Sequence, residues 1–101
     1  MKTLFAVTLK KGSGWNENEP MRSQIHWNEH AALMDSWTTD GFILLGGPIG
    51  EGEDEVLLVF DAASEDEIRS AFAADPWVIL QIRRIEQIRR WKILLEAERK
   101  N

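Results

Sequence analysis

Residues 3–9 alternate and are rich in β-formers, the pattern of a strand, until Lys10-Lys11-Gly12-Ser13-Gly14 breaks it and opens a polar loop that runs to Glu19. Pro20 suits the first turn of a helix, with Asn18 or Glu19 as its cap, and Ile25, Leu33, Met34 and Trp37 supply apolar positions until Asp40-Gly41 stops it. Positions 26, 30, 33 and 37 fall on one stripe of that helix, so His26 and His30 face the same side as Leu33 and Trp37. Residues 42–45 form a short apolar strand ended by Gly46-Gly47-Pro48. The Gly- and acid-rich stretch 50–54 then turns the chain into a second run, 55–61, and the two strands make a hairpin. Ser64-Glu65-Asp66-Glu67 is a capping box, and Ile68, Ala71 and Phe72 are the buried face of the helix it starts. Asp75-Pro76 ends that helix, because the residue before a proline is pushed out of the helical region.

The last third is ambiguous, since Ile79, Ile82, Ile85, Ile88 and Trp91 recur every three residues, a period of neither helix nor strand. Residues 76–81 read as a turn or helical stub and 84–94 as a fourth strand, with a continuous helix over 77–98 as the alternative. The polar tail, 95–101, is expected to fray. Strands and helices in the order βαββαβ make a ferredoxin-like α+β fold, an antiparallel four-stranded sheet with both helices on one face. The other face is apolar and bare, and the economical cover is the same face of a second subunit, giving a homodimer, a dimeric α+β barrel.

Composition narrows this further. At 101 residues and 44% hydrophobic the chain can bury one core, so one domain is expected over 1–101. No apolar run reaches bilayer length, and residues 1–9 carry one charge with no small-residue cleavage site after them, so they read as strand rather than leader and no membrane partner is expected. With no cysteine there is no disulfide framework and no thiolate metal site, and the cytoplasm is the simplest location. Twelve Lys and Arg against 17 Asp and Glu, a net charge of −5, argue against nucleic acid as a partner. The charges are segregated: residues 51–67 are acidic without a basic residue, whereas Arg83, Arg84, Arg89, Arg90 and Lys92 crowd one segment. Those are two solvated surfaces, or patches that meet across a subunit interface. The five tryptophans, 15, 27, 37, 77 and 91, each need wide apolar cover and an N–H partner, which points to a pocket or an interface.

His30 is the residue with the chemistry of a general acid or base, because imidazole titrates near neutral pH and a carboxylate can fix its tautomer. A hydrogen-bonded core histidine is the plainer reading. His26 and His30 also resemble half a zinc site, with Glu29 and Asp75 as further ligands, but Trp27 stands where zinc hydrolases place an acid, and no metal is assigned. Gly46-Gly47-Pro48-Ile49-Gly50 follows a strand without opening a helix and so reads as a turn at the mouth of a pocket, not a phosphate cradle. The serines have no paired histidine at motif spacing.

Glu29-His30-Ala31-Ala32-Leu33 in a helix, Asp40-Gly41 leading through an apolar strand to Gly46-Gly47-Pro48, and Ala74-Asp75-Pro76-Trp77 together resemble the YCII-related family, small dimeric α+β-barrel proteins. Arg90-Trp91-Lys92 is similar to that family's closing Pro-aromatic element, with Arg90 where Pro is usual. His26 and the long loop 10–19 are further departures. The resemblance implies His30 and Asp75 as a catalytic or ligand-binding pair and no metal or organic cofactor. Trp27, Trp37 and Trp77 are then candidate walls for a small-molecule ligand, and His26, Gly47 and Pro48 further candidate contacts. Two functions are open: a lyase- or isomerase-like enzyme in which His30 moves a proton of a small cyclic or enolisable substrate, and a non-catalytic ligand-binding or regulatory module.

Overall fold

The alternation at the start of the chain builds the strand on which the rest is assembled. In the computed structural model, which describes residues 2–98, β1 (Lys2–Lys11), β2 (Ile43–Pro48), β3 (Glu55–Phe60) and β4 (Arg83–Ile93) form one antiparallel sheet in the spatial order β2-β3-β1-β4. With α1 (Trp27–Thr39), α2 (Glu65–Phe72) and the short α3 (Pro76–Ile79), this is a ferredoxin-like α+β fold. Met1, the first residue of the run read as strand, and residues 99–101 of the tail expected to fray lie outside the described residues. Residues 94–98 carry no helix or strand. Among the described residues no helix is long and apolar enough to cross a membrane.

Period-two alternation sends Phe5, Val7 and Leu9 of β1 to one face, where they meet Leu58 and Phe60 of β3, Ile68 and Phe72 of α2, and Met34 and Trp37 of α1. Both long helices therefore cover one side of the sheet. The other side presents Leu4, Leu44, Leu45, Val59, Trp91 and Ile93 along an open groove that residues 95–98 also border. Trp91 and Leu45 there are 48% and 62% exposed.

Helix ends follow local chemistry where that chemistry is complete. Ser64 Oγ accepts from the Glu67 N–H at 3.1 Å, and Glu67 Oε1 reaches back one residue past the cap to accept from the Ala63 N–H at 2.9 Å, a variant of the capping box at the start of α2. α1 ends in a Schellman motif: Gly41 takes φ +78°, its N–H donates to Thr38 O, the Phe42 N–H donates to Trp37 O, and the Phe42 and Trp37 rings meet edge on at 5.6 Å.

Two expectations are corrected, and the strand read over 84–94 is present as β4. Helix α1 does not begin at Pro20: a 3-10 turn, Met21–Ser23, comes first, His26 takes the left-handed φ of 60°, and the helix starts at Trp27. Buried Gln24 is the reason, since its Nε2 donates to Asn16 O and Glu19 O, both at 2.8 Å, and its Oε1 accepts from the Asn16 N–H at 2.9 Å, so the segment folds back on its own loop. Gly46, Gly47 and Pro48 do not end β2 but belong to it, paired with Leu58, Leu57 and Val56. The period of three is a strand with a bulge: Gln87 opposes Thr8 while Ile85 opposes Leu9, so Glu86 is the extra residue. The bulge puts Ile85 and Ile88, three apart, on the helix-covered face beside Leu9 and Val7, and the continuous-helix alternative is excluded.

Candidate functional site

A second apolar cluster, Trp15, Trp77 and Ile82 with Met21 and Trp27 against it, lies where β1 runs into its loop and β4 begins. Its backbone is pinned from both sides. Gly12 N–H donates to Ile82 O at 3.0 Å and Gly14 N–H to Gln81 O at 2.8 Å. A Cβ at Gly12 would sit 2.1 Å from Gln81 O, and one at Gly14 2.3 Å from Leu80 O, so the two strands of backbone can approach only because these positions lack side chains.

Helix α3 exists because Asp75 caps it. Its side chain accepts from the Trp77 N–H at 2.9 Å, and Pro76 occupies the first turn, where a missing N–H costs nothing. The same carboxylate, fully buried, meets His30 of α1: Nδ1 lies 2.9 Å from Oδ2 and 3.1 Å from Oδ1. A carboxylate only accepts, so Nδ1 carries a proton, and in the neutral ring the lone pair is on Nε2. The imidazole is also stacked on the Trp77 indole, centroids 4.0 Å apart and planes within 7°, and Trp27 closes over both rings. Trp77 is fixed in turn by its Nε1–H, which donates to Ile25 O at 2.7 Å. Position, tautomer and ring plane of His30 are thus all set by neighbours.

His30 opens on a cavity of about 210 Å³. Its walls are Leu9, Met21, Trp27, Met34, Gly46, Gly47, Pro48, Val56, Leu58, Trp77 and Arg83. That is below the roughly 300–1,000 Å³ of sites for drug-sized ligands, and suits a single small ring. Gly46 makes room on the β2 side, since a Cβ there would meet Leu58 Cδ2 at 2.3 Å.

Of the residues singled out from the sequence, His30, Trp27, Gly47, Pro48 and Trp77 line this cavity, and Asp75 stands behind His30 as its partner. Two others do not reach it. Trp37 packs edge on against Phe42, Phe60 and Phe72 in the main core, because its position on α1 faces the sheet centre rather than its end. His26 lies off the helix in the left-handed conformation, half exposed and 3.6 Å from Glu29, so the i, i+4 stripe it was to share with His30 does not form. Among the described residues no group of three His, Asp or Glu side chains is arranged to hold a metal ion.

Arg83, read from the sequence as one of a basic crowd, is the residue that reading missed. It is 1% exposed on the cavity wall, and burial pulls its guanidinium below its ordinary pKa while the charges of Glu53 and Asp54 oppose that fall. The only available signal was its place at the start of β4, opposite Lys11. The acidic stretch and the basic segment also meet within the chain here, since Arg83 Nη1 donates to the Asp54 backbone O at 3.2 Å, and Lys11 Nζ lies 2.9 Å from the Asp54 side chain. The Lys11 hydrogen bond holds the Asp54 carboxyl below, and the Lys11 amine above, the usual ranges.

Neither a family model nor a curated protein matches the chain. Among solved structures it is similar to 5-chloro-2-hydroxyhydroquinone dehydrochlorinase from Burkholderia phenoliruptrix AC1100, in complex with 2,5-dihydroxybenzoquinone. Identity is 20%, the match covers 89% of this chain and 92% of that one, and the TM-score is 0.50, a likeness of fold.

Proposed function

We propose that this chain is a YCII-related enzyme that moves a proton on a small cyclic or enolisable molecule, with His30 as general acid and base and Asp75 holding its ring. The observation that carries the reading is the buried His30–Asp75 pair at the edge of an apolar, tryptophan-walled cavity. Asp75 fixes the proton on Nδ1, so Nε2 is the atom that takes a proton from the substrate and returns it, without a metal or organic cofactor. Trp27 and Trp77 supply flat surfaces for a ring, and the fold neighbour acts on a chlorinated hydroxyhydroquinone, a ring of this size.

The test is exchange of solvent deuterium into a panel of small enolisable cyclic ketones. Wild-type protein is expected to accelerate exchange for at least one of them, and His30→Gln to lower that rate by about 10²–10⁴-fold at a temperature where the variant is still folded. No acceleration by the wild type, or equal rates in both proteins, overturns the reading. We further propose that the helix-free sheet face pairs with a second copy, since Leu44, Leu45 and Trp91 are exposed there together. Sedimentation at low micromolar concentration is expected to show a dimer, and a monomer overturns that assembly.

A further inference from the structure

One charged group on the cavity wall is not used by proton transfer at His30. Arg83 stacks on Trp15, its guanidinium carbon 4.5 Å from the ring centroid. Nη1 donates to the Asp54 backbone O at 3.2 Å, Nη2 reaches only the Met21 sulfur at 3.8 Å, and Nε is buried with no hydrogen-bond partner. A guanidinium offers five N–H donors in a rigid plane, so one carbonyl and one thioether leave it underserved.

The carboxylates around it are engaged elsewhere. Asp54 is bonded to Lys11 at 2.9 Å, Glu53 accepts from the Met21 N–H at 3.1 Å, and Asp75 serves His30 and Trp77. Among the described residues no ion pair joins Arg83 to a carboxylate. A buried cation that feels Glu53 and Asp54 only at a distance, with no carboxylate in contact and one unpaired donor, is costly, and an anionic oxygen inside the cavity offsets both terms. A planar fork is also the donor geometry that fits a carboxylate or an enolate better than a point charge does.

We propose that Arg83 selects the ligand of this cavity, and that the ligand carries an anionic oxygen, as a carboxylate or as the deprotonated hydroxyl of a ring. That oxygen takes the free guanidinium donors, while the apolar part of the ligand lies among Trp27, Met34 and Leu58. The proposed His30 chemistry enters only at the proton transfer after binding; the choice of an anion stands on Arg83 alone.

Benzoate and benzamide, single-ring probes of one shape and different charge, test it by quenching of tryptophan fluorescence. The wild type is expected to bind benzoate about tenfold more tightly than benzamide or better. Arg83→Met abolishes the preference and Arg83→Lys retains part of it. A failed deuterium-exchange assay with an intact benzoate preference therefore counts against the enzyme reading and not against this one. A measurement on wild-type protein needs no variant: the Arg83 Nε–H proton resonance is expected to shift on adding benzoate and to stay on adding benzamide. Equal affinities, absence of benzoate binding, a preference that survives Arg83→Met, or an unmoved Nε–H resonance overturns the proposal.

Discussion

The molecule holds two groups of aromatic rings that do opposite things. Under α1 and α2, Trp37, Phe42, Phe60 and Phe72 meet edge to face, with ring planes 60–86° apart, and the cluster they join is apolar throughout. At the end of the sheet, Trp15, Trp27 and Trp77 surround a histidine, a buried carboxylate and a buried guanidinium. Edge-to-face contact is what close packing of rings produces, whereas the face-on stack of His30 on Trp77 fixes one ring plane against another. Bulk and shape suffice for the first group. In the second, every ring is tied to a particular polar partner, so its members are less replaceable although they contribute less to the core.

That division predicts different failures. Phe60→Ala, at a fully buried position between Trp37, Phe42 and Phe72, is expected to cost about 3–5 kcal/mol in chemical denaturation while the protein that stays folded keeps its benzoate affinity. Asp75→Asn should cost less stability, about 1.5–3 kcal/mol, because the amide still accepts from the Trp77 N–H. Its amide nitrogen then faces Nδ1 and moves the imidazole proton to Nε2, so deuterium exchange falls far more than stability does. Equal losses of both would merge the two regions into one. Gly46→Ala touches both, since Leu58 belongs to the core and to the cavity wall; about 1–2 kcal/mol and weaker benzoate binding are expected together.

The smallest effect is the Lys11–Asp54 pair, which solvent screens through the exposed Asp54 side. Lys11 lowers the Asp54 pKa in the folded state, so the stabilisation is present above the unfolded carboxyl value and is lost as pH falls through the lower folded one. Lys11 itself is raised, and its share is lost only as pH climbs through that raised value on the alkaline side. The melting-point gap between wild type and Asp54→Asn is therefore expected to be flat through neutral pH and to close in strong acid.

What could be read from the chain alone was whatever neighbours in sequence decide. The Ser64 box, the stop at Asp40-Gly41 and the order of strands and helices are local signals, and each holds. The start of α1 was not legible, because Gln24 is bonded back to Asn16 and Glu19 rather than carried into the helix, and no periodicity records a side chain's choice of a loop carbonyl. The bulge at Glu86 disguised β4 as a three-residue repeat. In the site, His30, Asp75, Trp27 and Trp77 could be picked out by type and order, but Trp37 could not be separated from them, since both roles for a tryptophan look alike in a composition. Arg83 was hidden by its company: four more basic residues come within the next nine positions, and only the register against Lys11 shows that this one turns inward.

The Trp77 indole has a further role through its bond to Ile25, a residue 52 positions away that is itself 63% exposed. That bond ties the folded-back loop before α1 to the floor beneath His30, and the indole is itself 1% exposed. Its proton can exchange with solvent deuterium only when the loop lifts or the whole molecule unfolds. One indole resonance is thus a clock for the loop: a lifetime shorter than that of the Val7 amide in the sheet centre would mean that the loop opens as a unit of its own, and equal lifetimes would mean that loop and sheet come apart together.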